Sequence, residues 1–121
     1  MIETLLTIFF LLIAGHAVGD FAIQTDWVAY NKNRHTKDNM SLETKGKIEQ
    51  VWPWVLSAHS LHHGLIVFLI TQRIWLGLAE TVVHWVTDYG KSEGWYGFHV
   101  DQILHVTAKV AWIALLYYQV V

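Results

Sequence analysis

The chain of 121 residues contains no cysteine. That removes disulfides and thiolate zinc sites and leaves the redox compartment unread. Its one proline, Pro53, stands near the start of an apolar segment, where proline is tolerated. Charged residues make up only 15% of the chain and the formal net charge is −2, so there is no basic footprint for nucleic acid, and none is expected as a partner. No Ser-His-Asp pattern, phosphate-binding glycine loop, dinucleotide fingerprint or HExxH element occurs. What fills the chain is apolar: 54% hydrophobic residues, with seven Trp and five Tyr, more than a soluble core of this size would hide.

The composition suits a single small domain, residues 1–121. Four apolar segments are separable: Thr4 to about Gln24, Val51 to about Gln72, Ile74 to about Tyr89, and Phe98 to Val121. Each approaches the roughly 20 residues of a spanning helix, the third being short. A soluble bundle would carry polar outer faces, yet Ile8 to Ile13 is apolar all round and Val110 to Val121 nearly so. The only early charge is Glu3, whereas a signal peptide starts basic, so the first segment reads as a permanent membrane helix. The fold expected is all-α, a four-transmembrane-helix bundle in the lipid bilayer.

The polar loop 30–50 carries Lys32, Arg34, Lys37, Lys45 and Lys47 against Asp38, Glu43 and Glu49; the turn 90–97 adds Lys91. The other side has only Arg73 and the termini. The positive-inside bias therefore places both loops in the cytoplasm and both termini outside a cytoplasmic (inner) membrane. Trp27, Trp52, Trp54, Trp75 and Trp95 fall near the expected helix ends, as an interfacial belt does. His16, Asp20, Phe21 and Trp27 are echoed at identical spacing by His84, Asp88, Tyr89 and Trp95, which suggests two repeated helical hairpins.

Inside these segments, metal-capable side chains stand four apart: His16/Asp20, His59/His63, His84/Asp88 and Asp101/His105. That spacing puts both members on one helix face, about 6 Å apart along the axis. Ionisable groups in a membrane are costly and need partners. All four pairs fall in the half of the bilayer next to the loops, a shared level that scattered histidines have no reason to keep. Five histidines and three aspartates are enough for two ions with shared carboxylates, an imidazole-rich counterpart of carboxylate di-metal bundles. Imidazole and carboxylate suit Zn first, with Mn or Fe as alternatives. The metal-free alternative is a chain of His–Asp hydrogen bonds, such as a proton relay.

Neighbouring polar groups extend the stripes. Gln24 continues the face of His16 and Asp20, and Glu80 precedes His84 by four. Both are candidate catalytic groups, Glu80 as general base or as support for a ligand histidine. The plainer reading of Glu80 is an ion pair with Lys109, which follows His105 by four. Lys91 and Arg34 stand at the expected mouth, where they could hold a phosphate or simply anchor helix ends. His62 points about 100° off the His63 face and is a candidate supporting group. His35 and His99 lie in or beside loops and read as incidental. Gly15, Gly19 and Gly64 permit close helix approach.

The segment from His16 through Asp20, Phe21, Gln24 and Thr25 to Trp27 resembles the opening motif of a bacterial and phage membrane family, domain of unknown function 3307. His59 with His63, His84 with Asp88 and Lys91, and Asp101-Gln102 with His105 resemble its later motifs in order. The resemblance covers nearly the whole chain apart from loop 30–50, and it implies no reaction. The family is distantly similar to small inner-membrane proteins labelled metal-dependent hydrolases.

The leading expectation is a membrane-embedded hydrolase whose metal-activated water attacks a phosphoester or acyl bond of a lipid or amphipathic substrate. One alternative is transport of a divalent cation or proton. Another is a metal-stapled structural or interaction protein of a phage or its host. A homo-oligomer is compatible with any of them.

Overall fold

The computed structural model describes residues 1–36 and 41–118. Lys37 and Asp38 of the polar loop, and the last three residues of the fourth expected helix, lie outside the described residues. The element order is α1 (Ile2–Ala17), a π-helical turn (Val18–Ile23), α2 (Asp26–Asn31), β1 (Ser41–Thr44), β2 (Lys47–Gln50), α3 (Trp52–Thr71), α4 (Ile74–Ser92) and α5 (Phe98–Tyr117).

Local chemistry sets most of these bounds. The extended backbone of Gln24 closes the π-turn, and the Thr25 side chain then caps α2 by accepting from Val28 N at 3.2 Å. Pro53 sits in the first turn of α3, where its missing N–H costs nothing. Gln72, left-handed at φ 56°, ends α3, and extended Arg73 starts α4. This two-residue connection folds α4 back along α3. Their backbones approach closely: a Cβ on Gly64 would lie 2.5 Å from the Gly77 carbonyl oxygen. With no side chain at either glycine, the two backbones pack in direct contact.

The long helices form a ring in which α1 packs on α3 and α5, and α4 on α3 and α5. Leu12, Val67, Leu76, Ala108 and Trp112 fill one end of its interior. The other end is polar. α2 packs on α3 beside that polar end.

Two expectations are corrected here. The chain is not a bundle of four transmembrane helices. Among the described residues only Ile2–Ile23 and Trp52–Thr71 are long and apolar enough to cross a membrane. Glu80, Asp88 and Lys91 interrupt the apolar run of α4; Asp101, Lys109 and two histidines interrupt that of α5. Nor is the fold wholly helical. Ser41–Thr44 and Lys47–Gln50 pair antiparallel, in a register that sets Thr44 opposite Lys47. Lys45 at φ 52° and Gly46 at φ 77° make the two-residue turn, with the positive φ at both positions that matches strand twist.

The proposed repeat of two hairpins is corrected with it. A π-turn, a short helix and this β-hairpin separate α1 from α3, whereas residues 93–97 alone separate α4 from α5. His16 and Asp20 straddle the junction of α1 with the π-turn, while His84 and Asp88 lie within regular α-helix. Trp27 lies on α2 and Trp95 in a loop, so the matched spacing does not carry matched structure.

Candidate metal centre

The eight paired residues meet at the polar end of the ring. His16 comes from α1, Asp20 from the π-turn, His59 and His63 from α3, His84 and Asp88 from α4, and Asp101 and His105 from α5. All are buried except Asp20, whose side chain keeps 9% exposure. The π-turn shapes the backbone around Asp20, and such turns recur at functional sites. Gly19 lets the π-turn lie directly on His63: a Cβ there would fall 2.4 Å from His63 Cε1.

Three sets of donors within 4.8 Å of one another could each hold a metal ion: Asp20, His59, His63 and His84; His16, His84 and His105; and Asp88, Asp101 and His105. In the first set, Asp20 Oδ1 lies 3.1 Å from His63 Nε2, 3.4 Å from His59 Nε2 and 3.8 Å from His84 Nε2. His59 Nε2 and His84 Nε2 are 3.2 Å apart. A tetrahedral zinc with bonds of about 2.0–2.1 Å spaces its ligand atoms by roughly 3.3 Å, close to three of these four separations, so the set could hold one ion.

The hydrogen-bond pattern supports that fit. Asp20 Oδ1 and His63 Nε2 are buried and 3.1 Å apart, and both are among the described buried atoms that make no hydrogen bond, as are Asp101 Oδ1 and the Nδ1 atoms of His16, His84 and His105. Buried polar atoms are normally satisfied, so a cluster of them left this way is compatible with a ligand.

The third set offers three donors rather than four, all buried. His105 Nε2 lies 3.2 Å from Asp88 Oδ1 and 3.5 Å from Asp101 Oδ1. Gln102 ties the sets together. Its Nε2 donates to Asp20 Oδ2 at 3.0 Å and Asp101 Oδ2 at 3.2 Å, and its Oε1 lies 3.3 Å from His16 Nε2. The metal-free alternative is a net of His–Asp contacts, of which the 3.1 Å approach of His63 to Asp20 is one.

The other expected site residues are distributed as follows. Glu80 Oε1 sits 3.5 Å from His84 Nδ1 and accepts from Lys109, while Oε2 accepts from Trp112 Nε1 at 2.6 Å. Both oxygens are committed, so Glu80 is placed to orient His84 rather than to reach a substrate. Lys109 is buried in that pair. Gln24 Nε2 donates to the Asp20 carbonyl at 3.3 Å, and Gln24 lines a polar cavity beside Asp88. Lys91 Nζ lies 3.3 Å from Asp101 Oδ2. His62 is exposed, as is His99.

Arg34 does not reach the mouth. It grips Glu93 through two bonds of 2.6 and 2.8 Å, with His35 Nε2 3.2 Å from the same carboxylate. The Arg34 guanidinium holds the Glu93 carboxyl below its ordinary range, and Glu93 raises Arg34 in return.

Two residues outside the expected site set join it: Lys32, which pairs with Asp88 Oδ2, and Gln102. Lys32 carried no signal, because it lies 56 residues from its partner. Gln102 sits next to Asp101 on the same turn, a position that was visible.

Residues 8–121 match the model of a family described as a protein of unknown function, DUF3307. No curated protein and no solved structure matches the chain.

Proposed function

Since the chain belongs to the DUF3307 family over most of its length, and the family's description names no reaction, we propose a function from the site: a metal-stapled membrane protein whose buried His/Asp centre holds divalent cations between its helices. The observation that carries it is the closed set of Asp20, His59, His63 and His84. Its donor atoms lie within 4.8 Å of one another, and they are drawn from three separate elements. Structural metal sites are closed in this way, and the binding energy of the ion is then folding energy. Zinc suits the imidazole-rich set, with manganese or iron as alternatives.

Membrane attachment rests on α1 with its π-turn and on α3. Only 17% and 33% of their apolar windows are buried inside the protein, whereas a soluble core helix would be mostly buried. Phe10, Leu61, Leu65 and Leu69 are among their exposed side chains. His16 and Asp20, at the end of the first span, belong to the centre, which ties that helix to the rest of the fold. The basic residues between the two spans favour the cytoplasmic side for that segment.

The test is metal content. Protein purified in detergent should retain at least one transition metal ion through dialysis, and chelation should lower its unfolding temperature. Free metal at about 100 times its Kd would stabilise by about 2.7 kcal/mol. Metal-free protein of unchanged stability and helicity would reject the staple.

A second reading, hydrolysis, is favoured by one feature. Asp88, Asp101 and His105 give three donors, and Asp88 lines a cavity of 210 Å³. Three protein ligands and an open position are the pattern of catalytic metal sites, where the ion supplies Lewis acidity. Chelator-sensitive cleavage of a phosphoester or acyl substrate, lost in His105→Ala, is its test. Transport is disfavoured, because Glu80, Lys109 and Trp112 and the apolar core close the interior beneath the centre.

A further inference from the structure

The cavity beside Asp88 has a charge arrangement that the metal reading leaves unbalanced. Its walls include Gln24, Lys32, Asn33, Asp88, Lys91 and Ser92, and its 210 Å³ far exceeds the roughly 10–15 Å³ that one water needs. Two lysines line it. Lys32 Nζ is bound to Asp88 Oδ2, and Lys91 Nζ lies 3.3 Å from Asp101 Oδ2 and 5.0 Å over the Phe98 ring. The opposite oxygens of the same carboxylates, Asp88 Oδ1 and Asp101 Oδ1, face His105. Each aspartate is therefore shared between a lysine and the third donor set.

A dication held by Asp88, Asp101 and His105 would cancel both carboxylates. The two ammonium groups would then be left at the wall with no counter-charge. The nearby Glu93 does not supply one, because Arg34 occupies both its oxygens. A phosphate monoester, with a charge of about −1.5 to −2 at pH 7, restores neutrality. Lysine is a regular point-charge partner of phosphate, and the amides of Gln24 and Asn33 and the Ser92 hydroxyl add neutral donors to the wall.

We propose that this cavity is a phosphate-binding subsite in which Lys32 and Lys91 grip a phosphate monoester once the Asp88, Asp101 and His105 donors hold a cation. The proposal rests on the metal reading extended to the third donor set, Asp88, Asp101 and His105. The phosphate is either that of a soluble compound or a lipid headgroup, since the chemistry of recognition is the same.

The experiment is calorimetric titration of inorganic phosphate into the full chain in detergent, metal-free or loaded with manganese or zinc and dialysed to a measured stoichiometry. Loaded wild-type protein should bind phosphate at least tenfold more tightly than metal-free protein. Lys32→Gln and Lys91→Gln should each weaken binding at least tenfold with metal stoichiometry unchanged, which also shows that the variants fold. Displacement of the phosphate by dihexanoyl phosphatidate assigns a lipid headgroup; phosphate that binds but is not displaced assigns a soluble compound. Both outcomes support the subsite. If either metal is retained but phosphate does not bind, or binds both variants as wild type, the subsite is overturned and the metal reading stands. If neither manganese nor zinc is retained, both fall.

Discussion

Asp20 Oδ1 and His63 Nε2 lie 3.1 Å apart, buried and in contact, without a hydrogen bond between them. A proton on the imidazole makes this contact an ion pair; a cation makes both atoms ligands, and His59 Nε2 at 3.4 Å from the same oxygen adds a further donor for it. Asp20→Asn keeps the shape and removes the charge. It should weaken metal binding at least ~100-fold, beyond the 10–100-fold typical of supporting partners. Competition with a chromogenic chelator measures this, and unchanged affinity in Asp20→Asn would remove Asp20 from the centre.

Gly19 gives a sharper test, because it separates site geometry from packing. A Cβ at Gly19 would meet the His63 ring at 2.4 Å, whereas one at Gly15 would meet Ile66 Cγ2 at 2.5 Å. Both substitutions overpack α1 or its π-turn against α3, at about 1–3 kcal/mol. Only Gly19→Ala should also cost metal affinity, by about tenfold or more, since misplaced ligands bind poorly. Equal metal affinity in the two variants would mean that His63 is not a ligand.

Glu80 and Lys109 are each 1% exposed and paired, with Trp112 on the second Glu80 oxygen. Removing one member of a buried pair strands the other. Glu80→Ala should therefore destabilise by about 3–5 kcal/mol in a denaturant titration. The double variant Glu80→Leu, Lys109→Met should recover most of that loss. If the double variant is as unstable as the single, the main role of Glu80 lies elsewhere, in holding His84.

Helix positions were largely legible, because apolar runs and turn residues mark them locally. The third and fourth expected segments, from Ile74 and from Phe98, begin where α4 and α5 begin. The four-residue pairs were visible for the same reason, since spacing alone puts both members on one face.

What was not legible is non-local or leaves no periodic trace. The π-turn at Val18–Ile23 follows the same apolar pattern as a helix. The strands around Lys45-Gly46 are short and exposed along their length, so they carry no buried alternating face. The expectation of four spans weighed the apolar content of α4 and α5 above Glu80, Asp88 and Lys91, or Asp101 and Lys109, which keep both helices off the membrane-length class.

The Arg34–Glu93 clamp holds the chain just after Lys32 to the end of α4. The Glu93 carboxyl is held low, chiefly by the hydrogen bond from Arg34. A depressed carboxylate contributes stability above its unfolded pKa and loses it as pH falls through the lower folded value. The clamp should therefore persist at neutral pH and release only on the acid side of the ordinary carboxylate range. Carbon NMR titration of Glu93 should show a midpoint that rises toward the ordinary value in Arg34→Gln. Identical midpoints would mean that the clamp is absent in solution.

The absence of cysteine makes the orientation of α3 directly measurable, because any introduced thiol is the only one. Ser41 on β1 and Gln72 at the end of α3 are both exposed, and α3 separates them. If α3 crosses the bilayer with the basic segment inside, a membrane-impermeant maleimide applied to intact cells should label Gln72→Cys. Ser41→Cys should react only after lysis. Swapped labelling would invert the orientation, because five basic residues before α3 would then face outward against the positive-inside bias. Labelling of both from one side would mean that α3 does not span, and its exposed Leu61, Leu65 and Leu69 would then need a protein partner instead of lipid.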